Sequence, residues 1–302
     1  MYDTIIIGGG IAGFSAAMYA GRMKLKTLVI TKIRGGTITN TNEVANWPGI
    51  SRIEGIKLAE NIEKHALEYD IEVVDDEAVQ VLKKDGFLVK TSDEKQYGGK
   101  TIIFATGSEA RKLGIPGEKE FFGRGVHVCA LCDGYFYKDK EVAIIGGSDS
   151  ATKEALLLAQ LAKKVYIIYR KDKIRAEPVT YEKAMTNKKI EVITNTNVTE
   201  IIGGERVEKM VLDKPYKGKT EFPISGIFVE IGRISNSKLA ESIGIMLTES
   251  GEIITTKDMK TNMDGAYAAG DVTDSRFKQA ITGSAEGVSA VFSVYEYLQK
   301  KK

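Results

Sequence analysis

Six consecutive residues, Cys129-Ala130-Leu131-Cys132-Asp133-Gly134, hold the only two cysteines in a chain of 302 residues. Two residues separate the sulfurs, so one thiolate can attack its neighbour, or an incoming disulfide, with little backbone movement. In such a pair one thiol is usually held below its ordinary pKa, which keeps a thiolate available near neutral pH. An acid, Asp133, follows directly. The pattern points to thiol–disulfide exchange. Half of a zinc site is the other reading. Tetrahedral zinc needs four ligands, and only His65 and His127 remain to offer any. His127 lies too close to the cysteines for the usual spacing, and no metal is expected.

A redox pair needs an electron source, and the sequence offers two places for a nucleotide. Residues 3–7 form a short apolar strand, followed by Gly8-Gly9-Gly10-Ile11-Ala12-Gly13 and small residues suited to a helix lying close on a sheet. Residues 26–30 supply the next strand. Strand, Gly-x-Gly-x-x-Gly, helix and strand within about thirty residues form the dinucleotide-binding unit, in which the pyrophosphate meets the helix N-terminus. The acid expected near the ribose is absent, because the second strand ends in Thr31-Lys32-Ile33-Arg34. The pattern restarts 138 residues later: strand 141–145, then Gly146-Gly147-Ser148-Asp149-Ser150-Ala151, helix 152–162 and strand 164–169. Ser148 stands where a glycine allows close approach to pyrophosphate, and its hydroxyl can itself donate to phosphate. After this second strand come Arg170, Lys171, Lys173 and Arg175, a cluster that suits the 2′-phosphate of NADP(H). A solvated basic turn is the plainer reading of the same residues.

The remaining segments fit around these units. Gly35-Gly36-Thr37 opens a polar loop that runs to Asn46-Trp47-Pro48-Gly49. Residues 54–69 read as an amphipathic helix and 71–104 as strands, ending in Ala105-Thr106-Gly107. Residues 111–117 and 233–237 read as two crossings between domains. Gly265–Val272 reads as a buried strand closing on Asp271, a candidate acceptor for a polyol such as a flavin ribityl chain, or else a helix-capping acid. The last helix, 279–298, is rich in small residues in its first half.

Composition narrows the class. The formal charge is +2, which argues against nucleic acid or an anionic membrane surface as the main partner. No run approaches the ~18 apolar residues of a membrane span, and Asp3 followed by a strand does not read as a signal peptide. A lone Cys pair without an export signal is expected in the cytoplasm. The length suits about two domains. The expected fold is α/β, with two Rossmann-like dinucleotide-binding domains.

Together these motifs resemble the low-molecular-weight thioredoxin reductases over essentially the whole chain. Gly8–Gly13 is similar to the family's FAD loop, and Gly35-Gly36-Thr37 stands at its Gly-Gly-Gln. Asn46-Trp47-Pro48-Gly49, Ala105-Thr106-Gly107, Gly270-Asp271-Val272 and Lys278-Gln279-Ala280 resemble further FAD motifs, and Cys129–Gly134 resembles its Cys-Ala-Thr-Cys-Asp-Gly. Departures cluster at the pyridine nucleotide: Gly146-Gly147-Ser148 for Gly-Gly-Gly, and Tyr169-Arg170-Lys171 for His-Arg-Arg, with Arg175 kept. Leu131 and Lys278 replace a threonine and an arginine.

The resemblance implies a FAD domain of residues 1–112 and 240–302, with a nucleotide and disulfide domain, 113–239, inserted. It implies electron flow from NADPH through FAD to the Cys129–Cys132 disulfide and on to thioredoxin or a thioredoxin-like protein, in a homodimer. Cys132 then faces the flavin, Cys129 attacks the substrate and Asp133 is the acid/base. It also implies a rotation about the two crossings, which presents the disulfide and the nicotinamide to the flavin in turn. The eroded nucleotide motif leaves ferredoxin or a reduced deazaflavin as the alternative donor. A non-enzymatic flavin- or zinc-bound redox sensor is the alternative of another class.

Overall fold

The computed structural model describes residues 1–41, 44 and 46–301. The chain forms two compact units, Met1–Glu109 with Ile234–Lys302, and Ala110–Arg233 inserted between those two stretches. The first stretch runs β1 (Tyr2–Ile7), α1 (Ile11–Arg22), β2 (Thr27–Thr31), α2 (Gly55–Leu67), β3 (Ile71–Asp75), β4 (Ala78–Lys84), β5 (Gly86–Thr91), β6 (Gln96–Phe104) and β7 (Ser108–Ala110). The inserted unit runs β8 (Val126–His127), α3 (Ala130–Asp133), β9 (Glu141–Ile145), α4 (Asp149–Leu161), β10 (Lys164–Ile168), α5 (Pro178–Thr186), β11 (Ile190–Ile193), β12 (Val198–Gly203), β13 (Val207–Tyr216), β14 (Lys219–Pro223) and β15 (Gly226–Val229). The chain returns through β16 (Arg233–Ser235), α6 (Lys238–Glu241), β17 (Ala266–Ala268) and α7 (Ala280–Gln299).

In the first unit the strands lie in the order β3-β2-β1-β6-β5-β4, with β17 beside β6. The pairs β1–β2, β2–β3, β1–β6 and β6–β17 are parallel, while β4–β5–β6 is an antiparallel meander. Alternation of side chains along the apolar strands builds a core on each face. Ile6, Val29 and Ile103 join Phe14, Ala16 and Ala17 of α1 and Ala290, Val291 and Val294 of α7. Ile5, Ile7, Leu28, Ile30, Ile102 and Phe104 join Phe87 and Val89 of β5 on the other face. Each such fully buried aliphatic side chain contributes about 1.5–3 kcal/mol.

The second unit repeats the plan with a parallel sheet in the order β11-β10-β9-β15-β8 and an antiparallel β12-β13-β14 sheet. One face of the parallel sheet is covered by α4 through Ala151, Ala155, Leu158 and Ala159. The other is covered by Val198, Ile201, Val207, Met210 and Leu212 of the antiparallel strands.

The chain passes between units at 109/110 and 233/234, beside the 112/113 and 239/240 that the resemblance implies. The breakers Gly114, Pro116 and Gly117 are anchored inside the second unit. The Glu118 carboxylate accepts from the Leu113 and Gly114 N–H groups at 2.8 Å, and Ile201 N–H donates to the Pro116 carbonyl at 3.0 Å. The return crossing, β16, pairs with β7 as a two-stranded ribbon.

Candidate functional site

In the first unit the glycine loop has the shape of a phosphate cradle. Gly8 has φ +110°, and a Cβ on it would strike the Ala105 carbonyl; a Cβ on Gly13 would strike the Gly8 carbonyl. Gly10 caps α1, and an added Cβ would make only ordinary contact, 3.8 Å from the Gly36 Cα. Gly10 has no side chain with which to cap α1, and no acid lies in the first turn, so among the described residues the N-terminal N–H groups of Ile11 and Ala12 are suited to an anion. Gly35 N–H donates to the Gly9 carbonyl at 2.7 Å, and Gly36 abuts Gly10, with Thr37 next in a short 3-10 turn.

The other expected cofactor residues gather beside this loop. Ala105 follows β6, and its N–H donates to the Ile7 carbonyl at 2.8 Å. Thr106 exchanges hydrogen bonds with Asn236, donating Oγ1 to its carbonyl at 2.7 Å, and Gly107 has φ +67°. Gly270, at φ +81°, sits against Ala12, and Asp271 follows it. Asn46 Nδ2 donates to Gln279 Oε1 at 3.0 Å, which joins two motifs 233 residues apart. Gln279 and Thr282 form the capping box of α7, of which Ala280 is the first residue. Lys278 is committed to protein groups, in an ion pair with Glu252 and a 3.1 Å bond to the Asp271 carbonyl. Glu286 escaped sequence reasoning. It accepts from Gly270 N–H at 2.7 Å and from Ser275 Oγ at 2.5 Å, and no spacing rule marks it.

The second glycine loop is built alike and finished differently. Gly146 has φ +151°, and a Cβ there would strike the Glu230 carbonyl; a Cβ on Gly147 would strike the Tyr169 ring, as one on Gly9 would meet Thr31. At the position of Gly10 stands Ser148, whose Oγ turns inward and accepts from Ala151 N–H at 3.2 Å. Asp149 opens α4, accepts from Glu177 N–H at 2.9 Å and pairs with Lys153 at 2.5 Å, and this lysine holds its carboxyl below the ordinary range. The helix end is thus already capped and carries an acid, both of which disfavour an added anion. Helix α4 begins at Asp149 rather than at Thr152, because this cap completes the first turn. Ser150, Arg170, Lys171 and Arg175 are exposed, but Arg175 N–H donates to the Gly147 carbonyl at 2.6 Å and its Nε to the Tyr169 hydroxyl at 3.1 Å.

Cys129 and Cys132 are joined by a disulfide, with their Cα atoms 5.4 Å apart. Cys129 caps the one-turn helix α3, and its Sγ accepts from Cys132 N–H at 3.2 Å. A thiolate at Cys129 therefore has a donor in place. Asp133 is the last residue of the same turn and is 9% exposed. Beneath the pair lies a carboxyl that the sequence did not flag. Glu154 Oε2, from α4, accepts from Ala130 N–H at 3.0 Å and is hydrogen-bonded to Glu230. Burial pushes both carboxyls up, and the Glu154 charge pushes Glu230 further, while Arg233 opposes the shift. Leu131, between the two cysteines, and Tyr135 and Phe136, shortly after them in sequence, are exposed apolar residues.

Two dinucleotide-type units, one of which carries a disulfide before its glycine loop, define a disulfide oxidoreductase. Residues 2–287 match the pyridine nucleotide-disulphide oxidoreductase family. The chain is 38% identical to the thioredoxin reductase of Bacillus subtilis, over 99% of this chain and 96% of that one. It is 39% identical to that of Peptoclostridium acidaminophilum, over 99% and 98%. The crystal structure of thioredoxin reductase from Streptococcus pyogenes matches with a TM-score of 0.92 at 35% identity, covering 99% of each chain. The chain belongs to the pyridine nucleotide-disulphide oxidoreductase family.

Proposed function

We propose that the chain reduces the disulfide of thioredoxin or a thioredoxin-like protein through Cys129 and Cys132. The observation that carries this reading is the disulfide on α3, with an N–H aimed at Cys129 Sγ and an acid in the next position. The first unit would hold FAD, with Gly10, Ile11 and Ala12 offering N–H groups to its phosphates and Gly35–Thr37, Asn46, Ala105–Gly107 and Gly270–Ala280 available for its remaining contacts. When bound, FAD supplies a two-electron carrier. The protein's own groups do the rest. Cys132 N–H stabilises the Cys129 thiolate, which attacks the substrate disulfide. Asp133 protonates the departing thiolate, and Cys132 then displaces the substrate from Cys129. Leu131, Tyr135 and Phe136 offer the protein substrate an apolar rim.

Cys132→Ser is expected to keep the flavin absorbance and to lose at least a thousandfold in thioredoxin turnover; retained turnover would overturn the assignment. NADPH is the donor by kinship, held at the second glycine loop by Arg170, Lys171 and Arg175. The capped end of α4 favours a second reading, in which reduced ferredoxin supplies the electrons. An anaerobic titration separates them, since the true donor bleaches the flavin within seconds. Light scattering tests the homodimer expected by kinship.

A further inference from the structure

Asp133 sits in a buried chain of three side chains. Its Oδ2 lies 3.2 Å from His127 Nδ1, and His127 Nε2 lies 2.6 Å from the Tyr137 hydroxyl. His127 and Tyr137 are 6% and 5% exposed. The imidazole stacks on Phe228 at 5.3 Å and meets the Tyr137 ring edge-on at 5.4 Å, so it cannot turn away. The backbone builds this seat. His127 and Phe228 are register partners in β8 and β15, and a side chain on Gly226 would strike the Tyr137 ring.

Burial and the Asp133 charge push the Tyr137 phenol up to about 12, with Arg206 opposing, so it keeps its proton at neutral pH. Each ring nitrogen of His127 thus has a partner that can exchange a proton with it, the Tyr137 hydroxyl at Nε2 and the Asp133 carboxylate at Nδ1, so the three side chains form one continuous proton chain. A proton carried by this pair lies along the His127–Asp133 contact of 3.2 Å. A carboxylate by itself only accepts hydrogen bonds, whereas an imidazole can take a proton at one ring nitrogen and give one from the other. The groups that face this ring are Asp133, Tyr137 and the uncharged Phe228; Arg206 and Lys140 act on Tyr137.

We propose that His127 is a positioning residue that keeps a transferable proton at Asp133 for thiol–disulfide exchange. This rests on the reading of Asp133 as the acid. The Cys129 thiolate forms a sulfur–sulfur bond to the substrate as the substrate disulfide breaks, and the leaving sulfur takes the proton held at Asp133. Cys132 gives its own proton to the emptied carboxylate and attacks Cys129, re-forming the enzyme disulfide. The second substrate sulfur leaves with that proton. Two electrons and two protons have then moved to the substrate, and the pair refills from solvent.

The test uses the full-length, flavin-loaded protein with a saturating donor and measures thioredoxin turnover from pH 6 to 9. His127→Asn keeps an N–H for Asp133 but cannot take up a proton. Its kcat should fall about tenfold at pH 8 and less at pH 6, so that the alkaline limb moves to lower pH, with KM changed less than twofold. Tyr137→Phe should move the limb the same way by a smaller amount, and it decides the matter should His127→Asn fail to fold. A pH profile unchanged in shape, whether the rate is retained or uniformly reduced, would overturn the inference. Asp133→Asn separates the two readings. Full turnover in that variant removes the acid assignment itself, whereas its loss beside an unchanged His127→Asn profile removes only the role of His127.

Discussion

The Glu154–Glu230 pair carries the clearest residue-level consequence. Glu230 is pushed above the ordinary carboxyl range by burial and by Glu154. The folded state therefore binds more protons than the unfolded chain between the ordinary value and the raised one. Stability falls as pH rises through that window. Glu230→Gln removes the ionisation and leaves Glu154 its bond to Ala130 N–H. The variant should melt higher than the parent at pH 9, by the equivalent of roughly 1–3 kcal/mol, and no higher near pH 4. Equal melting shifts at both pH values would show that the pair holds no extra proton. Neither acid stood out in the sequence, since Glu154 sits in an ordinary helix and Glu230 at a strand end. Only folding brings residues 76 apart into one hydrogen bond.

Among the elements, the two glycine-loop helices form an internal comparison. Helix α1 begins at a bare glycine with no acid in its first turn, and α4 begins at a serine cap with Asp149 next. The sequence showed that Ser148 replaces a glycine, and it suggested a hydroxyl offered to phosphate. The structure turns that hydroxyl inward to Ala151 N–H. Ser148→Gly frees this N–H at a cost of a few tenths of a kcal/mol in capping. NADPH affinity should rise about fivefold, the worth of roughly 1 kcal/mol from one hydrogen bond, measured by equilibrium titration of the flavin-loaded protein. Unchanged affinity would mean that the cap does not limit the site. The glycines of α7 have a different duty. A Cβ on Gly287 would strike the Ala12 carbonyl, so the small residues noted in the sequence serve close helix approach.

At the level of the whole molecule, Ala110–Arg233 form a unit inserted between the two stretches of the other. The disulfide and the second glycine loop share the inserted unit, while the flavin-type loop lies in the other. Both crossings run through the β7–β16 ribbon. A covalent cross-link placed across that ribbon should lower turnover at least tenfold and leave flavin absorbance unchanged; full turnover in the linked protein would sink the rotation expected by kinship.

The strands, glycine loops and Cys pair were legible in the sequence because each rests on local rules: apolar alternation, positive-φ glycines and a fixed Cys spacing; the inserted order came with the family resemblance. The passages near 109/110 and 233/234 are less legible, because an anchor such as the Ile201 N–H bond to the Pro116 carbonyl joins residues far apart in sequence. His127 shows the limit most clearly. In the sequence it was a stray histidine weighed against zinc. In the fold, the register of β8 against β15 places it between Asp133 and Tyr137. A residue's type and spacing reveal what chemistry it can do. Which groups share its proton is decided by strand pairing and burial, which no local pattern encodes.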